Sequence, residues 1–177
     1  MKKIKFFTLL FAIAAMLLQV SIINAQDDKS KRPSPPAQTK ATVGKTDITI
    51  DYSQPSVKGR EIGVELAPYG KIWRTGANEA TTFEISTDVK IEGKELKAGK
   101  YGLFTIPGEN EWIIIFNSVP DQWGSFSYDK SKDVLRVSVK PDKTSDSTER
   151  FTISIKDDGQ VSMKWGKHQV NFDVSGG

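Results

Sequence analysis

The 177-residue sequence has no cysteine and only one histidine. Without cysteine no disulfide can form, although an exported chain meets conditions that permit one. A lipid-anchored bacterial protein also needs a cysteine just after its cleavage point, and Gln26 stands there instead. With His168 as the one imidazole and no thiol, a zinc or copper site would need mostly carboxylates, which suit those metals badly. No glycine-rich phosphate loop or dinucleotide fingerprint is present. No nucleophile-elbow sequence accompanies His168, so a Ser–His–Asp arrangement has little support. No metal and no cofactor are expected, and the balance leans away from an enzyme.

Long apolar runs are also scarce. Phe6 to Val20 spans 15 nearly continuous apolar residues, short of the roughly 20 that a membrane-crossing helix requires. The run follows Lys2, Lys3 and Lys5 and leads through Ser21–Ile22–Ile23–Asn24–Ala25 to the polar Gln26. That is the layout of a secretory signal peptide over residues 1–25, cleaved after Ala25. Its removal takes away three of the 25 Lys and Arg, and the 22 that remain equal the 22 Asp and Glu. The formal net charge thus falls from +3 to zero. No basic surplus remains to attract nucleic acid or an anionic membrane. A periplasmic or secreted protein without a membrane anchor is expected.

Residues 26–37 are polar and rich in proline, and read as a flexible leader that cannot bury enough apolar surface to order itself. Beyond it, alternation with period two predicts strands around Ile48–Tyr52, Phe83–Ile85 and Val89–Ile91. Glu92–Gly93 makes a hairpin turn toward Leu96. Lys100–Ile106 and Glu111–Asn117 form a second hairpin about Pro107–Asn110, and the unbroken apolar run Trp112–Phe116 predicts a strand covered on both faces. Further strands are expected at Val134–Val139, Phe151–Ile155, Val161–Trp165 and Val170–Val174, with Asp157–Asp158–Gly159 as a plain turn. Only Glu61–Leu66 has the character of a short helix. The expectation is one all-β domain over residues 38–174, an antiparallel β-sandwich (jelly-roll or Ig-like) of about nine or ten strands. The stretch between Tyr52 and Thr82 fits no strand pattern, and Tyr69, Ile72 and Trp73 within it predict one long packed loop.

That stretch also carries a resemblance. Tyr52-Ser-Gln-Pro-Ser-Val-Lys-Gly-Arg60, Pro68-Tyr-Gly-Lys-Ile-Trp-Arg-Thr-Gly-Ala-Asn-Glu-Ala-Thr81, Ala98-Gly-Lys-Tyr-Gly-Leu-Phe-Thr-Ile-Pro107 and Trp123–Gly124 resemble the domain of unknown function 2911 family, in its order, over about residues 38–173. The resemblance implies an exported β-sandwich of the Bacteroidetes type and transfers no catalytic residue. Gln54 departs from the arginine it leads one to expect.

Trp73-Arg74-Thr75-Gly76-Ala77-Asn78-Glu79 concentrates groups suited to recognition. Arginine offers a fixed fork of donors for carboxylate or phosphate, Asn78 and Glu79 offer acceptors, and Trp73 offers a flat apolar face. The same residues are equally suited to bracing the loop, with Arg74 pairing to Glu79 and Asn78 capping a turn. Trp123 lies in a second aromatic loop, where it either stacks on a sugar or plugs the core. Tyr52 and Tyr101 fall at strand ends, within reach of the same face or in edge packing. The candidate ligand-binding set is Tyr52, Arg60, Trp73, Arg74, Asn78, Glu79, Tyr101 and Trp123, expected to converge on one concave surface. The leading expectation is a non-catalytic binding module for a small polar or carbohydrate-like ligand. A glycan hydrolase using Glu79 with Glu65 is a second reading, since paired carboxylates at a suitable separation cleave glycosides. A structural envelope protein that binds another protein is a third.

Overall fold

The computed structural model describes residues 28–176. The expected signal peptide over 1–25 lies outside the described residues. Ten strands form two antiparallel sheets, with no α-helix among the described residues. In chain order they are β1 (Pro36–Val43), β2 (Thr46–Ser53), β3 (Thr81–Ile85), β4 (Val89–Ile91), β5 (Lys94–Leu96), β6 (Gly99–Ile106), β7 (Trp112–Asn117), β8 (Asp133–Val139), β9 (Pro141–Ile155) and β10 (Gln160–Gly176). One sheet has the order β1-β2-β3-β6-β7-β8 and the other β5-β4-β10-β9. The all-β sandwich anticipated from the alternating pattern is the architecture observed.

The two faces pack as the apolar periodicity dictates. Ile48 and Ile50 of β2, Phe83 and Ile85 of β3, and Trp112, Ile114 and Phe116 of β7 join Phe151, Trp165 and Phe172 in the inter-sheet core. β7 is covered on both sides: Ile115 turns outward to a smaller cluster with Ala80 and Phe104, against which Ile113 and Tyr128 pack. The chain between β7 and β8 lies over this outer face. At Gly102 a Cβ would stand 2.9 Å from the Val119 carbonyl oxygen, so only glycine allows that close crossing.

Four expectations differ from the structure. Glu61–Leu66 is a hydrogen-bonded turn (Glu65 N–H to Glu61 O, 2.9 Å) rather than a helix. Gly63 (φ 94°) in its middle breaks the helical path, holding a positive φ where glycine is the comfortable residue. β9 begins ten residues before Phe151, because its first half is exposed and polar and carries no apolar alternation. Val161–Trp165 and Val170–Val174 are two arms of one continuous element. That element cannot be straight, since 17 residues would extend about 55 Å, yet the Val174 N–H reaches the Gly159 carbonyl at 3.0 Å. The ribbon doubles back near Gly166 (φ 55°), and β9 follows it with one register shift on each side of that residue.

The fourth difference concerns the leader. Expected to be flexible, it is tied to the sandwich through Lys29, Arg32 and Ser34, and β1 starts at Pro36, inside its expected bounds. Proline is tolerated at the first position of an edge strand because no ladder donor is needed there. Ala37 packs against the core, and the Thr39 hydroxyl donates to the Ile153 carbonyl at 2.8 Å, closing one side of the sandwich.

Candidate functional site

The connection from Ser53 to Thr81 is a packed structure with two parts. Its first part crosses to the second sheet, where Val57 N–H donates to Glu149 O and Phe151 N–H to Pro55 O, both at 2.9 Å. These bonds cover the free edge of β9, which would otherwise invite pairing with another chain. Gln54 donates from Nε2 to the Phe151 carbonyl at 3.2 Å, so this position braces the backbone here.

The second part returns to the first sheet. Trp73 and Thr105 exchange both backbone hydrogen bonds, at 2.8 and 2.9 Å, and Thr81 N–H then bonds Arg74 O at 3.2 Å. Residues 75–80 are therefore a compact excursion between two points of the sheet. The Thr81 hydroxyl donates to Thr75 O at 2.7 Å, and the Trp73 indole N–H to Gly76 O at 3.0 Å. A Cβ at Gly76 would crowd the Ser53 carbonyl oxygen and the Thr81 hydroxyl, both at 3.0 Å. Thr75 and Asn78 hold positive φ, 55° and 58°, a conformation that persists only when surrounding bonds over-determine it.

The eight candidate residues divide into three groups. Trp73, Tyr52 and Tyr101 are core residues. Trp73 stacks on Trp165 with ring centroids 5.3 Å apart, and the Tyr52 and Tyr101 hydroxyls end on backbone atoms of residues 153 and 97. Their rings are buried and supply cohesion to the core. Arg60 lies elsewhere, in a cleft of about 630 Å3 beside the tip of the β10 ribbon, shared with Tyr69, Lys143 and His168. Its guanidinium donates to Val57 O and Ser56 O at 3.2 and 2.9 Å. Burial and the neighbouring Lys143 lower the His168 pKa. The eight residues thus do not converge on one surface.

Arg74, Asn78, Glu79 and Trp123 do meet. Ala80 N–H donates to Gln122 O at 2.9 Å and Gly124 N–H to Asn78 O at 3.0 Å, and Glu79 bridges Trp123. The excursion is thereby zipped to the aromatic loop. Asn78 Nδ2 donates to Ser34 O at 2.9 Å and Ser53 Oγ at 3.3 Å, which ties down the leader. A shallow groove of about 280 Å3 runs between Glu79, Thr82, Asp121 and Trp123. On its wall the buried Thr82 Oγ1 has no hydrogen-bond partner.

The expected Arg74–Glu79 pair is absent from the ion pairs of the described residues. Glu79 is held by the leader instead: Lys29 Nζ stands 2.9 Å from Oε1, and Arg32 Nη1 is 3.1 Å from both carboxylate oxygens. Partial burial pushes the Glu79 carboxyl up, but hydrogen bonds from Lys29, its own backbone N–H and Arg32 outweigh it and hold the pKa down to about 2. The Arg32 guanidinium carbon also sits 6.0 Å from the Trp123 ring centre. Arg74 is half-buried, its Nε has no partner, and desolvation lowers its pKa. Beside it, Trp123 and Phe126 are 59% and 87% exposed, and a Cβ on Gly124 would lie 3.1 Å from the Phe126 ring and 3.9 Å from Arg74 Nη1.

Lys29, Arg32 and Phe126 are the participants the sequence pattern does not single out. The only signal for the first two is a cationic run within a polar segment, which normally denotes solvated chain. Among the described residues no cluster of three or more His, Cys, Asp or Glu is placed to hold a metal ion.

Fold and site together define a two-sheet β-sandwich with a polar and aromatic face at one loop cluster. The chain belongs to the family described as Protein of unknown function (DUF2911), which matches residues 34–174. No curated protein and no solved structure matches it.

Proposed function

We propose that this is a non-catalytic binding module of the bacterial periplasm or exterior, recognising a small polar or carbohydrate-like ligand through an oxyanion such as a carboxylate. The observation that carries this reading is Arg74. A half-buried guanidinium with an unpartnered Nε is costly to maintain unless an acceptor arrives. It lies beside Gly124, in the loop that carries Trp123 and Phe126, two exposed rings able to stack on a ligand. Arginine's planar fork matches a carboxylate with two parallel hydrogen bonds.

Nothing in the geometry favours the hydrolase reading. A general acid or base works best with a pKa near its working pH, whereas Lys29 and Arg32, against partial burial, hold the Glu79 pKa down to about 2. Its proposed partner Glu65 accepts the Glu61 N–H at 2.9 Å, bracing its own turn.

Calorimetric titration with a panel of uronic acids, other acidic sugars and their neutral counterparts tests the proposal. Binding of an acidic member is expected to weaken about thirtyfold in Arg74→Ala, the scale of a charge-assisted hydrogen bond of about 2 kcal/mol. Binding that is indifferent to Arg74, or a preference for the neutral counterparts, defeats it.

A further inference from the structure

We propose that the cleft at the tip of the β10 ribbon is a second binding site, built for a short peptide with free termini. Its floor is apolar. A Cβ on Gly166 would stand 2.9 Å from Ile62 Cδ1 and 3.8 Å from Val57 Cγ2, so the connection after β2 packs directly on the ribbon where it bends. Two walls of opposite charge rise from that floor. The first comes from the connection and the β6–β7 turn, joined where Gly70 N–H donates to Pro107 O at 2.8 Å. Glu61, Tyr69 and Glu109 line it. Burial raises the Tyr69 pKa, and the charges of Glu109 and Glu61 raise it further.

The second wall is cationic. Lys143 and His168 are partners across the ribbon, and Lys167 lines the cleft with them. Arg60 donates to the Ser56 carbonyl, and Ser56 bridges Arg150 of β9. Burial, then Lys143, lowers the His168 pKa, which leaves the imidazole neutral at neutral pH and the charge on Arg60, Lys143 and Lys167. Asp142 lies on this side and offsets only part of it. Glu61, Glu109, Lys143 and Lys167 take part in no ion pair among the described residues. Burial is the leading cause of the pKa change on each wall. The charges therefore act across a partly desolvated space, where they count for more than on open surface.

A ligand with one charge satisfies one wall, and a neutral sugar satisfies neither. A molecule with an ammonium at one end and a carboxylate at the other satisfies both. At about 630 Å3, the cleft falls within the range of about 300–1,000 Å3 for small-ligand sites. A peptide of about two to four residues spans about 7–14 Å when extended, and its side chains would meet the floor at Val57 and Ile62.

This site is separate from the Arg74 face and does not rest on it. The probe is trialanine, compared by calorimetry with its N-acetylated and its C-amidated forms. Wild type is expected to prefer the free peptide over either blocked form by at least about tenfold, the scale of a charge-assisted hydrogen bond. Glu61→Gln/Glu109→Gln should lose the preference for a free ammonium and keep that for a free carboxylate. Lys143→Gln/Lys167→Gln should do the reverse. All four positions are exposed, so both variants are expected to melt like wild type. No binding at millimolar trialanine, equal binding of the blocked forms, or a preference that survives its own variant overturns the proposal. Arg74→Ala is expected to leave trialanine binding unchanged. Failure of the acidic-sugar titration alone strikes only the earlier reading, and failure of the trialanine titration alone strikes only this one.

Discussion

Replacing Trp73 by alanine removes the ring at the centre of the aromatic core. Trp73 is 8% exposed, stacks on Trp165 at 5.3 Å, and meets Phe151 and Trp112 edge-on at 5.1 and 6.1 Å. A buried indole removes about 200 Å2 from water, worth about 5 kcal/mol at about 25 cal/mol per Å2. Partial collapse of the space and an incomplete unfolded-state reference reduce that figure, while the lost bond to Gly76 O adds about 1 kcal/mol. The expected cost is about 3–5 kcal/mol, a fall in melting temperature of about 10 °C for a domain of this size. Trp123→Ala, at a site 59% exposed, is expected to stay within about 0.5 kcal/mol of wild type. Urea denaturation followed by far-ultraviolet circular dichroism compares the two without depending on which tryptophan fluoresces. A Trp73→Ala variant within about 1 kcal/mol of wild type would refute the core assignment. A Trp123→Ala variant that loses more than about 2 kcal/mol would show that Trp123, not Trp73, is the plug.

Glu79 predicts an acid dependence. Its folded pKa of about 2 lies below its ordinary 4.5, so its contribution is complete above the higher value and fades as pH falls toward the lower. Solvent screening at this half-open site limits the effect to about 1 kcal/mol. The gap in urea midpoint between wild type and Glu79→Gln should close between pH 5 and pH 2, and a gap that stays constant refutes the linkage. Gly159→Ala should be far more severe. At φ 91° an added Cβ would lie 2.0 Å from the Val174 carbonyl oxygen, so the ribbon cannot close on itself, and a loss of at least about 2 kcal/mol is expected. A wild-type melting curve for that variant would mean the two arms do not meet there.

The sandwich was legible because burial on one face writes a period of two into a strand. The segments around Ile48, Phe83 and Val89 show it, and Trp112–Phe116 shows the unbroken version that two covered faces require. β1 and the first half of β9 were not legible. Their outward residues are polar and their inward ones small or half-exposed, so no alternation marks them. The doubled-back course of β10 was hidden for another reason: each arm reads as an ordinary strand, and only the Gly159–Val174 contact reveals that the ends meet.

The loop Trp73–Glu79 was correctly singled out as dense in interacting groups, but composition does not say which group points where. The sheet register turns Trp73 inward, while the left-handed residues Thr75 and Asn78 reverse the chain and set Glu79 outward. The leader then supplies the cations that pair with Glu79, so Arg74 pairs with no residue in its own loop. What the sequence determined alone was local: strand period, turn residues, a loop too aromatic to be disordered. Tertiary structure decided partnership, because the contacts that set the site, Arg32 with Glu79 and Trp73 with Trp165, join residues far apart in the chain, and a one-dimensional pattern carries no distance between them.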